Sequence, residues 1–142
     1  MEELSESVDH LITCLPSPKI SYEVVEKSPP HLTEGASWIE MSTISKEDIL
    51  RFAEFAKKYN LGMLELPVTR GVHLAARGKI TMLAGGDVNL FRQHYPLLQA
   101  MGDKKFYIGP ISFAAVIKVI TNMLVFIHLV ADGEALMVAK KG

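Results

Sequence analysis

Short apolar runs alternate along the chain with longer stretches that have helical spacing. Because short apolar runs flanked by turn residues are typical of buried strands, we predict a strand in each run. Strands and helices that alternate with short connections indicate an α/β fold, with a largely parallel sheet and helices on its faces. The predicted strands are LITCL (11–15), SWIEM (37–41), GMLEL (62–66), KITMLAGG (79–86) and KKFYIG (104–109).

The clearest helix follows the second predicted strand. Ser45 is its predicted N-cap, and Asp48 occupies the capping-box position three residues later. The earlier segment 17–28 also has helical spacing, which places Ile20 and Val24 on one side. On the clearest helix, an apolar stripe predicts the face that packs on the sheet, and it consists of Ile49, Phe52, Ala53, Ala56 and Tyr59.

Three later residues predict helix boundaries. Asp87 is the expected N-cap of the helix that begins with VNLFRQH. Pro96 is expected to restart that helix rather than continue it, because proline suits the first turn of a helix better than its interior. Ser112 is the expected cap of the last and longest helix.

Composition and charge narrow the class of protein. The 142 residues are 49% apolar and 22% charged, which is ordinary for one folded domain with a core. The net charge of −1 provides no general attraction to nucleic acids or to an anionic membrane. The single cysteine, Cys14, excludes an intrachain disulfide, and its apolar neighbours predict that it is buried.

The sequence also bears on localisation. The first residues are acidic and lack the apolar core of a signal peptide. Polar residues interrupt the apolar segment 113–139 before it reaches the ~18 unbroken apolar residues that a membrane span needs. We therefore expect a cytoplasmic protein without a membrane partner.

Lys118 and Asn122 share one face of the apolar last helix, because they are four residues apart. One interpretation is that Lys118 extends to the surface while Asn122 makes a helix contact. The other is that the flanking valines and isoleucines desolvate the amine, which would lower its pKa toward the range useful for acid–base catalysis. In that case Asn122 could orient the same substrate oxygen.

The loop PVTRG (67–71) is the second candidate site. Thr69 and Gly71 lie between a strand and a helix, a setting that favours an anion-binding turn. Arg70 could clamp a carboxylate or a phosphate with two hydrogen bonds. The alternative is a solvent-exposed arginine in an ordinary turn.

Other motifs are missing from the sequence. His73, His94 and His128 do not have metal-ligand spacing, so each is expected to be a surface or partly buried residue and no metal site is predicted. None of the G-x-G-x-x-G, P-loop and G-x-S-x-G motifs occurs among the 142 residues.

Four stretches together resemble the β-hydroxyacid dehydrogenases, the group of 3-hydroxyisobutyrate dehydrogenase, tartronate semialdehyde reductase and related glyoxylate reductases. They occur in the family's order and cover nearly the whole chain. The resemblance implies a partial Rossmann-like sheet and the NAD(P)-dependent oxidation of small β-hydroxy acids, or reduction of their semialdehydes. The stretches are LITCLPSP, WIEMSTIS, LPVTRGVHLAARGKITMLAGG with PLLQAMG behind it, and GPISFAAVIKVITN.

The resemblance also implies roles for individual residues. Lys118 matches the catalytic lysine that exchanges a proton with the substrate hydroxyl, and Asn122 matches the asparagine that hydrogen-bonds the substrate. The loop that holds the substrate carboxylate corresponds to Thr69, Arg70 and Gly71. The residues that match positions beside the dinucleotide are Leu15, Pro16 and Thr43.

Two features depart from the family's pattern. Thr-Arg-Gly at 69–71 replaces the usual Ser-Gly-Gly, which indicates a different acid, an acid with a second anionic group, or a blocked pocket. The glycine-rich turn that binds pyrophosphate is missing, so we expect NAD or NADP to bind this chain weakly. By this resemblance, residues 1–110 are the second half of a Rossmann-like domain, and residues 111–142 begin a long helix leading to an all-helical domain.

Partners follow from the same reasoning. We expect a homo-oligomer, because a long helix that is apolar on all sides and an unpaired sheet edge both favour association. A small carboxylate is the expected substrate, and no nucleic acid partner is expected. The main hypothesis is an oxidoreductase lineage whose activity is impaired in this chain alone. The alternatives are a non-catalytic oligomerisation or interaction module derived from that enzyme, and a small-acid-binding protein that uses Arg70.

Overall fold

The computed structural model of the chain describes residues 8–27, 32 and 35–141. The strands and helices within these residues alternate much as the sequence predicts. They are β1 (His10–Thr13), α1 (Pro18–Glu26), β2 (Ser37–Glu40), α2 (Lys46–Lys58), β3 (Gly62–Glu65), β4 (Val68–Thr69), α3 (Gly71–Ala75), β5 (Thr81–Gly86), α4 (Val88–Met101), β6 (Lys104–Gly109) and α5 (Phe113–Lys141).

The strands form one mostly parallel sheet, in the order β1-β2-β3-β5-β4, with β6 also paired to β5. Strands β1, β2 and β3 are parallel, and their register aligns Thr13 with Glu40 and Glu40 with Glu65. The carboxyl ends of these three strands therefore meet at one edge of the sheet, where ligands bind in open α/β sheets. The predicted α/β class with a largely parallel sheet is confirmed.

Strand β5 runs opposite to β3 and β4, a reversal that the sequence analysis did not predict. The backbone N–H of Leu83 donates to the carbonyl of Pro67 at 3.0 Å, between the short β3 and β4 pairings. Strand β5 therefore follows β3 and β4 together past the ends of β1 and β2. The turn at 69–71 therefore lies beyond the carboxyl ends of β1, β2 and β3.

Helices cover both faces of the sheet. In β2, Trp38 and Ile39 point to opposite faces, and both side chains are fully buried. Trp38 belongs to the cluster that includes Ile49 and Phe52 of α2 and Ala115 of α5. Ile39 belongs to the second cluster, which contains residues of β3, β5 and α4.

The predicted caps of α2 and α4 are present. The Ser45 hydroxyl accepts a hydrogen bond from the Asp48 backbone N–H at 3.1 Å. The Asp87 carboxylate accepts from the backbone N–H groups of Asn89 and Leu90 at 2.7 and 3.0 Å. Each cap satisfies N–H groups that the first helical turn leaves unpaired.

Helix α1 forms where the spacing predicts it, and its buried side is next to the one that holds Ile20 and Val24. Ser21 and Val25 are buried there, whereas Ile20 is 39% exposed. The pairs 20/24 and 21/25 are both four residues apart, so spacing alone does not decide which one faces the core.

The predicted boundary at Pro96 is wrong, because α4 continues through this residue. Proline removes one backbone donor from the helix, but the loss is local. Phe91 and His94 before it and Leu98 after it are all buried, so packing on both sides of Pro96 holds one helix together.

Cys14 is exposed rather than buried. Burial alternates along β1, with Leu11 and Thr13 buried and Ile12 exposed. The alternation puts Cys14 on the uncovered face. An apolar run of this kind predicts a fully buried strand, but among the described residues β1 is an edge strand that is buried on one face.

Helix α5 leaves the body of the domain after its first turns. Its buried residues are Ala114, Ala115 and Lys118, and residues 123–141 are exposed throughout. By length and composition α5 could cross a membrane, since its most apolar window has a mean hydropathy of 2.1. A helix that packs against other protein meets the same criteria, so the absence of a membrane partner stays a prediction.

Candidate active site

A pocket of about 580 Å³ lies between α5 and the turn that follows β4. All five residues predicted to contact substrate line it: Thr69, Arg70, Gly71, Lys118 and Asn122. The turn and the helix are about fifty residues apart in sequence. The reversed β5 strand and the entry of α5 across the same edge of the sheet bring them together.

Lys118 is the buried cation of this pocket. Only 7% of the residue is exposed, and its Nζ donates a hydrogen bond to Asn122 Oδ1 at 2.8 Å. Burial lowers the pKa of the Lys118 amine from its usual value of 10.5. A lysine with a lowered pKa is more readily neutral near physiological pH, so it can accept a proton as well as donate one.

Arg70 approaches the pocket from the turn. Its backbone lies in the left-handed region, with φ of 88°, and Gly71 follows with φ of 71°. One guanidinium nitrogen is 3.7 Å from Asp103 Oδ2, and the two side chains are 39% and 50% exposed. The arginine is therefore an accessible positive charge with a loosely held acidic partner.

Glu65 links the turn to the helix that carries Lys118, and the sequence analysis missed it. The side chain is buried at the end of β3, two residues before Pro67. Its Oε1 accepts from the Ala114 backbone N–H at 3.1 Å, and its Oε2 accepts from that of Ala115 at 2.9 Å. The carboxylate thereby caps α5, which favours negative charge at its N-terminus.

The role expected for Ser112 thus belongs largely to Glu65. Ser112 precedes α5 as predicted, but its backbone has a left-handed φ of 81°. Burial raises the pKa of the Glu65 carboxyl, and the backbone N–H groups of Ala115, Ala114 and Ser112 oppose that shift. Gly85 lies opposite Glu65 in β5, and a Cβ atom there would overlap the carboxylate.

A second buried network holds the loops predicted to lie beside the dinucleotide. The Thr13 hydroxyl accepts from Trp38 Nε1 and donates to Glu40 Oε2, both at 2.7 Å. Glu40 Oε1 accepts from the Ser42 backbone N–H at 2.8 Å. The Ser42 hydroxyl accepts from the Leu15 backbone N–H at 2.8 Å, which ties the first strand-end loop to the second.

The predicted cofactor residues Leu15, Pro16 and Thr43 lie in these two loops. Thr43 and Pro16 are exposed and Leu15 is half-buried, so all three are accessible to a ligand at the carboxyl ends of β1 and β2. Their roles stay predictions. Within the part of the chain that the structure describes, no group of three His, Cys, Asp or Glu side chains is arranged to hold a metal ion.

A sequence signal for the missed glutamates exists. Glu40 and Glu65 are each the fourth of the five residues in a predicted strand and lie between two apolar neighbours, and a carboxylate in such a position needs buried partners. His94 was likewise expected at the surface or half-buried, but it is 3% exposed. Its Nε2 is 2.5 Å from the Ser37 hydroxyl, which is 2.9 Å from His10 Nδ1. Ser37 and His10 are the first residues of β2 and β1, so this cluster lies at the end of these strands away from the pocket.

Comparison with known proteins identifies the family. The sequence profile of the NAD-binding domain of 6-phosphogluconate dehydrogenase matches residues 1–109. The chain belongs to this family. Dehydrogenases of the group that the sequence resembles are among the relatives of this chain, so the predicted oxidoreductase lineage and the nicotinamide class of cofactor are confirmed.

Individual relatives agree with the family match. NAD-dependent L-serine dehydrogenase of Pseudomonas aeruginosa is 33% identical over 106 residues, which are 75% of this chain and 36% of the relative. Mitochondrial 3-hydroxyisobutyrate dehydrogenase of Rattus norvegicus is 31% identical over 137 residues, which are 94% of this chain and 41% of the relative.

A solved structure extends the likeness to the fold. The structure of Mycobacterium tuberculosis 3-hydroxyisobutyrate dehydrogenase with L-serine has a TM-score of 0.95 at 27% identity. The match covers 99% of this chain and 48% of the other. The chain thus spans half or less of the length of these relatives, and the Rossmann-like architecture is confirmed for the part that it contains.

Proposed function

We propose that this chain carries the substrate pocket and the proton-transfer lysine of an NAD(P)-dependent β-hydroxy acid dehydrogenase. The supporting observation is the common pocket that Lys118, Asn122 and the 69–71 turn line. Family membership supplies the reaction class, and the pocket supplies groups that suit a small hydroxy acid.

In the proposed reaction, the turn at 69–71 binds the substrate carboxylate through the Thr69 hydroxyl and the backbone of the turn. Asn122 holds the Lys118 amine in place and contacts the substrate hydroxyl. In the oxidation direction, neutral Lys118 takes the hydroxyl proton and the carbinol carbon loses a hydride. A bound nicotinamide would supply the acceptor for that hydride, and the product would be the semialdehyde.

The residues present fit one part of a dinucleotide. The Thr43 hydroxyl and the backbone around Leu15 and Pro16 are accessible at the strand ends and would hold the nicotinamide end. The glycine-rich turn and helix N-terminus that bind pyrophosphate in such folds do not occur in this sequence. We therefore propose that the chain alone binds NAD(H) and NADP(H) weakly and turns over slowly.

The test compares the wild-type protein with Lys118→Ala. NAD(P)H formation from 3-hydroxyisobutyrate and from L-serine is followed at high protein concentration and at several pH values. We expect a low wild-type rate that rises with pH to a midpoint below 10.5, the usual pKa of lysine. Loss of the lysine should lower the rate by at least ~100-fold, the usual size of acid–base catalysis.

Two controls complete this experiment. Lys79→Ala removes an exposed lysine from the segment after α3 and should leave the rate unchanged. An undiminished rate in Lys118→Ala would remove Lys118 from the mechanism. Titration with NADH and NADPH checks the cofactor proposal separately, and a micromolar Kd for the isolated chain would contradict weak binding.

A second candidate function is a non-catalytic interaction module derived from the same enzyme. The exposed apolar surface of α5 favours it, since Phe126, Leu129 and Val130 are each more than 60% exposed. An apolar helix of ~40 Å requires cover from another surface. We propose a homodimer in which α5 supplies the contact, in the cytoplasm and without a nucleic acid or membrane partner.

A further inference from the structure

Among the described residues that line the pocket, Arg70 and Lys118 are cationic and none is acidic. Lys118 is buried and its Nζ already donates to Asn122. Arg70 is accessible, so the pocket keeps a positive charge even when the proton-transfer lysine is neutral. In the proposed reaction the Thr69 hydroxyl and the backbone of the turn bind the first carboxylate, so this charge is left for another anionic group.

The backbone does not require an arginine at position 70. A φ of 88° is a conformation that glycine adopts readily and that other residues adopt at a cost of roughly 1 kcal/mol. The position therefore holds a long cationic side chain against the local backbone preference. The arginine does not close the pocket, because about 580 Å³ remains beside it.

The partner of Arg70 is weakly held. Asp103 lies outside the pocket lining, 3.7 Å from the guanidinium, and half of its side chain is exposed. Ion pairs with this exposure contribute little, typically below ~1 kcal/mol. An anionic ligand group that offers two oxygens to the planar guanidinium can replace Asp103 with better geometry.

We propose that Arg70 makes this pocket selective for hydroxy acids that carry a second anionic group, which the guanidinium binds in exchange for Asp103. The inference rests on the proposed function, because it assumes that the pocket binds a hydroxy acid. One carboxylate meets Arg70, and Thr69, Lys118 and Asn122 remain for the other polar groups of the ligand. The open pocket beside Arg70 argues against the interpretation that this side chain blocks binding.

Two acids of equal chain length provide the test. 3-Hydroxyglutarate and 3-hydroxyvalerate differ only in a terminal carboxylate against a terminal methyl group. Their Kd values for the wild-type protein are measured at low ionic strength from NMR chemical-shift changes of ¹⁵N-labelled protein during titration. We expect 3-hydroxyglutarate to bind at least ~10-fold more tightly, as one charge-assisted bidentate contact allows. The preference should shrink as salt is added.

The variants assign that preference to Arg70. Arg70→Gln should reduce the preference to less than ~2-fold, mainly by weakening 3-hydroxyglutarate. Arg77→Gln removes the same charge from an exposed position outside the lining and should keep the preference. Asp103→Asn frees the guanidinium and should increase it.

The outcomes separate this inference from the proposed function. Equal binding of both acids to the wild type, or a preference that survives Arg70→Gln, would overturn the selectivity while leaving a hydroxy acid pocket. If neither acid shifts the signals of residues that line the pocket, both the inference and the proposed function are overturned.

Discussion

Replacing Glu65 tests whether one carboxylate joins the substrate turn to the catalytic helix. Glu65→Ala leaves the backbone N–H groups of Ala114 and Ala115 without their acceptors. Each unsatisfied buried group costs about 1–3 kcal/mol. Relief from burying a charge offsets part of this, because burial raises the pKa of Glu65 and so disfavours its ionised form. We expect a net loss of about 2–4 kcal/mol, a large part of the ~5–15 kcal/mol of a typical domain.

A second substitution, at Gly85, allows the interaction between positions 65 and 85 to be measured. A Cβ at Gly85 would lie 2.9 Å from Glu65 Cδ, closer than such contacts occur, so Gly85→Ala should cost about 1–3 kcal/mol as overpacking. In the Glu65→Ala background the overlap disappears, and Gly85→Ala should be nearly neutral. The two substitutions are therefore expected to be non-additive by at least ~1 kcal/mol.

The assay is urea unfolding followed by the fluorescence of Trp38, the single tryptophan of the chain, which is fully buried. A matched control is Gly102→Ala, whose Cβ would meet Ile80 and Met82 instead. Its cost should add to that of Glu65→Ala. Strict additivity of Glu65→Ala and Gly85→Ala would refute the claim that a side chain at position 85 is excluded by the Glu65 carboxylate.

Two further predictions concern other parts of the molecule. Burial, and next the neighbouring His10, lower the folded-state pKa of His94 below 6.5, while the Leu90 carbonyl opposes the shift. Its contribution to stability is present above pH 6.5 and is lost as the pH falls through the folded-state value. The free energy of unfolding, measured with urea at a series of pH values, should depend less steeply on pH in His94→Gln than in the wild type. His73→Gln, on the exposed face of α3, should leave the pH dependence unchanged. An unchanged pH dependence in His94→Gln would contradict the assignment. In the proposed dimer, Leu129→Glu in α5 should shift the mass measured by light scattering to that of a monomer. Gln99→Glu, exposed on α4, should not shift it, and a wild-type monomer at micromolar concentration would remove the dimer.

Features that depend on residues close together in the sequence were predicted correctly. The caps at Ser45 and Asp87 were read correctly because each depends on residues two or three positions away. Strand β2 was predicted at 37–41 and occupies Ser37–Glu40, because a short apolar run with turn residues on both sides has few alternatives. Lys118 and Asn122 were paired correctly because helical spacing alone brings them together.

Errors arose where distant parts of the chain decide the outcome. Helical spacing left the buried side of α1 undecided, because packing on the sheet sets the rotation that buries Ser21 and Val25. Cys14 is exposed because β1 is covered on one face among the described residues. Pro96 lies within α4 because the buried residues around it outweigh one lost hydrogen bond.

The sequence by itself determined the alternating α/β order, the helix caps, the spacing of Lys118 and Asn122, and the family to which the chain belongs. These depend on contacts within a few residues or on motifs that stand in the sequence. Only the tertiary structure decided that β5 reverses, that Glu65 caps a helix about fifty residues away, and that Arg70 and Lys118 share one pocket. Such contacts form only when the sheet aligns strand ends that are far apart along the chain, so no local pattern of residues specifies them.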